Sequence, residues 1–187
     1  MPVNELDAMT VHELNALPDG AARDAFSDCL ASPIWVSRMV SSRPFAGRAS
    51  LIDTAGTSWR DLPPDEWRAA ITHHPRIGES RAGARAGADV GATSSANERA
   101  DSWSASEQSA ARSADPEMVA AIVAANAEYE RHFGHRFIIC ATGKNPAEIL
   151  DALHARLPHD ASAELLVTAE ELRKIAALRL AKLVPGS

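Results

Sequence analysis

Apolar residues recur every three or four positions through most of the chain, the spacing of helices that bury one face. Thr10-Val11-His12-Glu13 has the Ser/Thr-x-x-Glu spacing of a capping box and predicts a short helix. Asp19-Gly20 punctuates it, and Ala21 to Leu30 reads as a second helix with Ala22, Phe26, Cys29 and Leu30 on one face. Pro33 fits the start of a third helix running through Trp35, Val36 and Met39. Leu51, Ile52 and Ala55 mark a fourth. Pro63-Pro64-Asp65-Glu66-Trp67 opens a fifth, which must stop near His73 because Pro75 disfavours the α conformation for His74.

From Glu79 to about Trp103 the chain turns to Gly, Ala, Ser and Arg without an apolar period, predicting an extended, mobile loop over 79–103. Ser104-Ala105-Ser106-Glu107 repeats the capping-box spacing and predicts a short helix ending near Ser113. Asp115-Pro116-Glu117 starts a longer helix through Met118, Ile122, Ala125 and Tyr129, stopped by Gly134. Arg136 to Ala141 is a short apolar run, readable as a lone strand or as an extended buried segment. Asn145-Pro146 begins a helix to Leu157, and Asp160 or Ser162 caps a final helix ending before Pro185-Gly186. The expectation is an all-α fold: one compact domain over residues 1–187, built of about eight helices.

Composition supports this. The chain is 45% hydrophobic but only 5% aromatic. Its apolar surface must therefore come from Ala, Leu, Ile and Val, which suit packed helices. A net charge of -6 with dispersed arginines argues against nucleic-acid binding. Two distant cysteines, Cys29 and Cys140, build neither a disulfide framework nor a Cys-rich metal site. No stretch approaches the apolar length of a membrane span, and Met1 to Asp7 lacks a leader pattern, so a cytoplasmic location with no membrane partner is expected.

Three positions stand out chemically. His74, fixed by Pro75 at the mouth of the Gly-rich loop, is either a cap on the preceding helix's carbonyls or a catalytic group. Glu107 sits in a helix's first turn, as half of a capping box or as a carboxylate held beside exposed amides. Leu172, Ile175, Ala176, Arg179 and Leu183 form a core-facing stripe containing a guanidinium. A buried arginine needs an anionic or polar partner: Glu107, a substrate carboxylate or a structural acid. His12, His154 and His159 stand among polar residues and read as exposed. His132 and His135 lack the flanking acid of a zinc helix, so no metal is expected. Nucleophile-elbow and phosphate-loop motifs are missing.

Taken together, His74-Pro75-Arg76-Ile77-Gly78, Ser104-x-x-Glu107-Gln108, Asn126 and Tyr129 followed by Phe133 to Ala141, and Leu178-Arg179-Leu180 resemble one family. It is the 2-oxo-4-hydroxy-4-carboxy-5-ureidoimidazoline (OHCU) decarboxylase family of urate degradation. The resemblance implies an all-helical enzyme, commonly a homodimer, that converts its small-molecule substrate OHCU into (S)-allantoin and CO2 without a cofactor. It also implies that His74, Glu107 and Arg179 are catalytic. Substrate contacts would come from Pro75, from Ser104, Ala105, Ser106, Glu107 and Gln108, and from the backbone of Phe137, Ile138, Ile139, Cys140 and Ala141. Two features depart from the family pattern: the loop between Gly78 and Ser104 is longer and richer in Gly and Ala, and His135 stands where an apolar residue is usual.

The chemistry suits those residues. Loss of CO2 leaves an electron pair on carbon, which the substrate ring's own carbonyl and nitrogens can accept. The protein must then orient the carboxylate, stabilise charge and deliver a proton. Two other classes use the same sequence features differently: a non-catalytic helical binding module needs no paired His74 and Glu107, and a metal-dependent amidohydrolase would hold stoichiometric metal.

Overall fold

Thr10 caps the first helix as its spacing predicts. Its hydroxyl accepts from the Glu13 amide at 3.2 Å, and the Glu13 carboxylate accepts from the Thr10 amide at 2.7 Å. The computed structural model describes residues 8–77, 99, 102–103 and 115–186. Among these, eight helices are found and no strand: α1 Val11–Ala16, α2 Asp19–Cys29, α3 Pro33–Ser41, α4 Arg48–Arg60, α5 Pro64–His73, α6 Pro116–Phe133, α7 Pro146–Arg156 and α8 Ala161–Leu183. No helix among the described residues is long and apolar enough to cross a membrane.

The helix boundaries follow the caps. Ser32, Asp115 and Asn145 each accept from an amide three residues on, ahead of a proline that cannot donate one. Asp160, not Ser162, caps α8, accepting from the amides of Ser162 and Ala163 at 3.0 Å each. Gly134 ends α6 in the left-handed region, at φ 72°, its amide reaching Glu130 O at 2.9 Å.

Two expectations need correction, and one open choice is decided. Asp19-Gly20 does not punctuate the chain; both residues belong to the first turn of α2, where an acid complements the exposed amides. Within the expected 79–103 loop, the described residues Arg99, Ser102 and Trp103 have helical backbone, and Trp103 is buried. The rest of that loop, and the short helix expected from Ser104 to Ser113, lie outside the described residues. Of the two readings of Arg136 to Ala141, the structure bears out the buried segment: no strand forms there.

The chain divides into two compact units, one of residues 1–66 and 173–187, the other of residues 67–172. In the first, Phe26 packs edge-on to Trp35 at 6.1 Å and to Phe45 at 6.2 Å. The buried Trp35 indole donates to Ala55 O at 3.0 Å, tying α3 to α4. Asn15 closes the α1 end through reciprocal 2.9 Å bonds with the Phe45 backbone.

The second unit is centred on α6 and α7. Ile122, Ala125, Tyr129 and Phe133 of α6 pack with Ile149 and Leu153 of α7 and with Ile77, Phe137, Ile139 and Ala141. Tyr129 lies 4.7 Å from Phe133 and 5.1 Å from Phe137, ring to ring.

Candidate active site

Pro75 ends α5 at His73, and two arginine contacts fix the turn that follows. The His74 amide donates back to Ile71 O at 3.2 Å, and the His74 carbonyl accepts from Arg136 Nη1 at 2.5 Å. Arg76 forks onto Glu130 of α6, Nε to Oε1 at 2.7 Å and Nη2 to Oε2 at 2.9 Å, the bidentate geometry that fixes direction as well as distance. Pro75 and Ile77 are buried and His74 is half-buried. The imidazole is thus carried by a backbone held from both sides.

Phe137 to Ala141 is fixed by charged groups of α7 and α8. Arg156 donates to Ile138 O at 2.8 Å and lies over the Phe137 ring at 4.5 Å. The Cys140 amide donates to Glu171 Oε2 at 2.8 Å. Arg156 also meets Glu164 through Nε at 2.8 Å and Thr168 Oγ1 through Nη2 at 2.9 Å. Tyr129 donates its hydroxyl to Glu164, and His159 Nδ1 lies 2.7 Å from Glu164 Oε2.

Glu164 is wholly buried. Burial works to raise its pKa, but hydrogen bonds from Arg156 and Tyr129 outweigh it and hold the carboxyl below the ordinary glutamate range. Tyr129 moves upward, from burial first and its bond to Glu164 second. His159 is therefore partly buried and bound into this network, contrary to the expectation of exposure, whereas His12 and His154 are exposed.

The structure brings His74 and Pro75 together with Phe137 to Ala141: they share one unit, Arg136 bridges them, and Ile77 lies in one cluster with Phe137, Ile139 and Ala141. Arg179 is 3% exposed on the predicted stripe and belongs to the other unit, where its Nη1 donates to Asp28 O at 3.3 Å. Ser104, Ala105, Ser106, Glu107 and Gln108 lie outside the described residues. Among the described residues no three His, Cys, Asp or Glu side chains gather to hold a metal.

Arg156, Glu164, Thr168 and Glu171 were missed by sequence reasoning. A signal was present: Glu164 and Thr168 precede Leu172 at steps of four, so both extend the apolar stripe of α8 inward. Among the described residues, Asn126 Nδ2 and His135 Nε2 are buried without a hydrogen-bond partner. His135 stacks against Phe133 and points Nδ1 at Arg136 O, 3.1 Å away, and burial lowers its pKa.

The helical scaffold thus holds the His-Pro turn and the charge-pinned apolar segment within one unit. The model of the OHCU decarboxylase family matches residues 15–181, and the chain belongs to that family. It is 29% identical over 161 residues to the uric acid degradation bifunctional protein TTL of Arabidopsis thaliana, covering 86% of this chain and 46% of that protein. The chain thus spans less than half of the plant relative. It is 27% identical to the 2-oxo-4-hydroxy-4-carboxy-5-ureidoimidazoline decarboxylase of Haloferax volcanii, covering 93% of this chain and 95% of that one. A crystal structure of OHCU decarboxylase in the presence of (S)-allantoin superposes with a TM-score of 0.70 and 29% identity, covering 87% of this chain and 99% of that one.

Proposed function

We propose that this protein decarboxylates OHCU to (S)-allantoin and CO2 in urate degradation. The observation that carries the reading is the family match along residues 15–181, together with the likeness to a decarboxylase crystallised with (S)-allantoin. The bond from ring carbon to carboxylate breaks, CO2 leaves, and the electron pair passes into the ring's carbonyl and nitrogens. A proton delivered to one face of the adjacent ureido-bearing ring carbon, with the 4-hydroxyl proton lost as that oxygen becomes a ring carbonyl, completes allantoin, so the protein needs positioned charge and one acid.

His74 is the proton donor in this proposal, since an imidazole near neutrality can both give and regain a proton. Its backbone anchoring by Arg136 supports a fixed direction of delivery. Arg179 binds the substrate's carboxylate in its planar fork. Glu107 sets the charge state of His74 or holds a hydroxyl or ureido group. The substrate segment comprises Pro75, Ser104 to Gln108 and the backbone of Phe137 to Ala141. Within it the Cys140 amide already serves Glu171, so developing oxyanion charge falls to other donors. The active form is a cytoplasmic homodimer, and a molar mass in solution equal to one chain would refute that assembly.

The test adds the purified protein to urate, uricase and hydroxyisourate hydrolase. Rapid appearance of optically active allantoin is expected; racemic allantoin at the uncatalysed rate would overturn the proposal. Arg179→Ala should raise the Michaelis constant and lower the melting temperature, and a variant unchanged in both would remove Arg179 from the site.

A further inference from the structure

Asn126 lies in the middle of α6 at 6% exposure, and its Nδ2 has no hydrogen-bond partner. Asparagine there is unfavourable twice over. It is a weaker helix former than alanine or leucine. An unmade hydrogen bond at a buried amide also leaves the full desolvation cost of that group standing. Nothing local relieves this, whereas on the same helix Glu130 pairs with Arg76 and Tyr129 with Glu164.

Its position explains what the amide is for. Glu130, one turn further along α6, grips Arg76, two residues beyond His74. Tyr129, at three residues' spacing, and Ile122, four residues before, belong to the cluster containing Ile77, Phe137, Ile139 and Ala141. Asn126 therefore stands on the stretch of α6 that packs against both the His-Pro turn and the Phe137 to Ala141 segment. A buried polar donor without a protein partner among these residues is preorganised for an acceptor that arrives from solution.

We propose that Asn126 is a substrate-binding residue whose Nδ2 donates to a carbonyl or carboxylate oxygen of the oxidised purine derivative, an inference that depends on the decarboxylase reading above. A neutral amide fixes the orientation of one oxygen without adding charge.

The distinguishing measurement pairs stability with binding in Asn126→Leu and Asn126→Ala. Without ligand, Asn126→Leu should melt at or above the wild-type temperature, because an apolar group replaces an unsatisfied amide of similar size. On freshly generated OHCU both variants should lose roughly 10- to 100-fold in kcat/KM, mostly through KM, the range for one hydrogen bond to a charged or strongly polar group. The thermal shift produced by (S)-allantoin should shrink in parallel. A kcat/KM within twofold of wild type overturns the inference, as does failure of both variants to fold, which would assign the amide a structural partner. An inactive wild type would sink the decarboxylase reading and this inference with it; an active wild type matched by its variants sinks only the role of Asn126.

Discussion

Interior polar side chains are handled differently in the two units. In the first, long side chains reach backbone carbonyls: Arg38 to Ser58 O, Arg43 to Leu14 O and Leu17 O, Trp35 to Ala55 O, Arg179 to Asp28 O. Each such bond closes a loop or ties two helices around an aromatic core. In the second, buried polar groups grip one another. Arg156, Glu164, Tyr129, Thr168 and His159 form one connected network, and Asn126 Nδ2 and His135 Nε2 are left without partners. Arg179 apart, to which the proposed reaction gives a substrate role, the first arrangement serves to tie helices together. The second holds a defined segment, Phe137 to Ala141, in a shape that hydrophobic contact by itself would not select.

The contrast can be broken first at the chemistry. His74→Asn should lower kcat by roughly 10²- to 10⁴-fold, the range for a positioned acid or base, with an unchanged melting temperature. Turnover of OHCU near the wild-type rate would remove His74 from the catalytic role.

The next largest effect concerns the charged core. Glu164→Leu strands Arg156 and should cost about 3–5 kcal/mol in urea unfolding. Adding Arg156→Met should restore most of that stability while raising KM, because Ile138 O and the Phe137 ring lose their anchor. In the first unit, Trp35→Ala should cost a comparable 3–5 kcal/mol, typical of deleting a large buried aromatic, and no single second substitution at a polar site should rescue it. If the double variant of the second unit kept its KM, the network would be as purely structural as the aromatic core.

The pH profile follows from two depressed values. His135 has an ordinary value of 6.5, lowered by burial. Its contribution is present above 6.5 and lost as pH falls through the folded value, because the unfolded chain takes up the proton first. Glu164, lowered from 4.5, acts in the same direction further into acid. Urea midpoints should therefore decline below about pH 6.5 and more steeply below about 4.5. His135→Phe should flatten only the upper limb; an unchanged upper limb would locate the titration elsewhere.

The smallest effect is local. Gly134→Ala, at φ 72°, should cost about 1 kcal/mol of stability through left-handed strain. It should also loosen the hold on His74, since Arg136 follows two residues later. A drop in stability without any change in KM would show that the α6 terminus is rigid independently of the site.

Helices were legible because their causes are local. Thr10, Asp115, Asn145 and Gly134 set boundaries by bonds within three or four residues, and Pro75 stops α5 for a reason confined to its own ring and the residue before it. Asp19-Gly20 misled because the same residues serve a turn or a first helical turn, and here they follow Pro18 at the N-cap of α2. The core stripe of α8 was readable down to the buried Arg179, since periodicity encodes which face is inside.

Who stands opposite that face was not readable. Arg76 with Glu130 is separated by 54 residues, Arg136 with His74 by 62, Cys140 with Glu171 by 31. Sequence alone determined most helix starts and stops, the inward stripe of α8, and that a histidine is fixed just past a helix end. Tertiary structure decided which guanidinium meets which oxygen and which buried amide remains unpaired, because those outcomes depend on desolvation and on geometry between elements far apart in the chain.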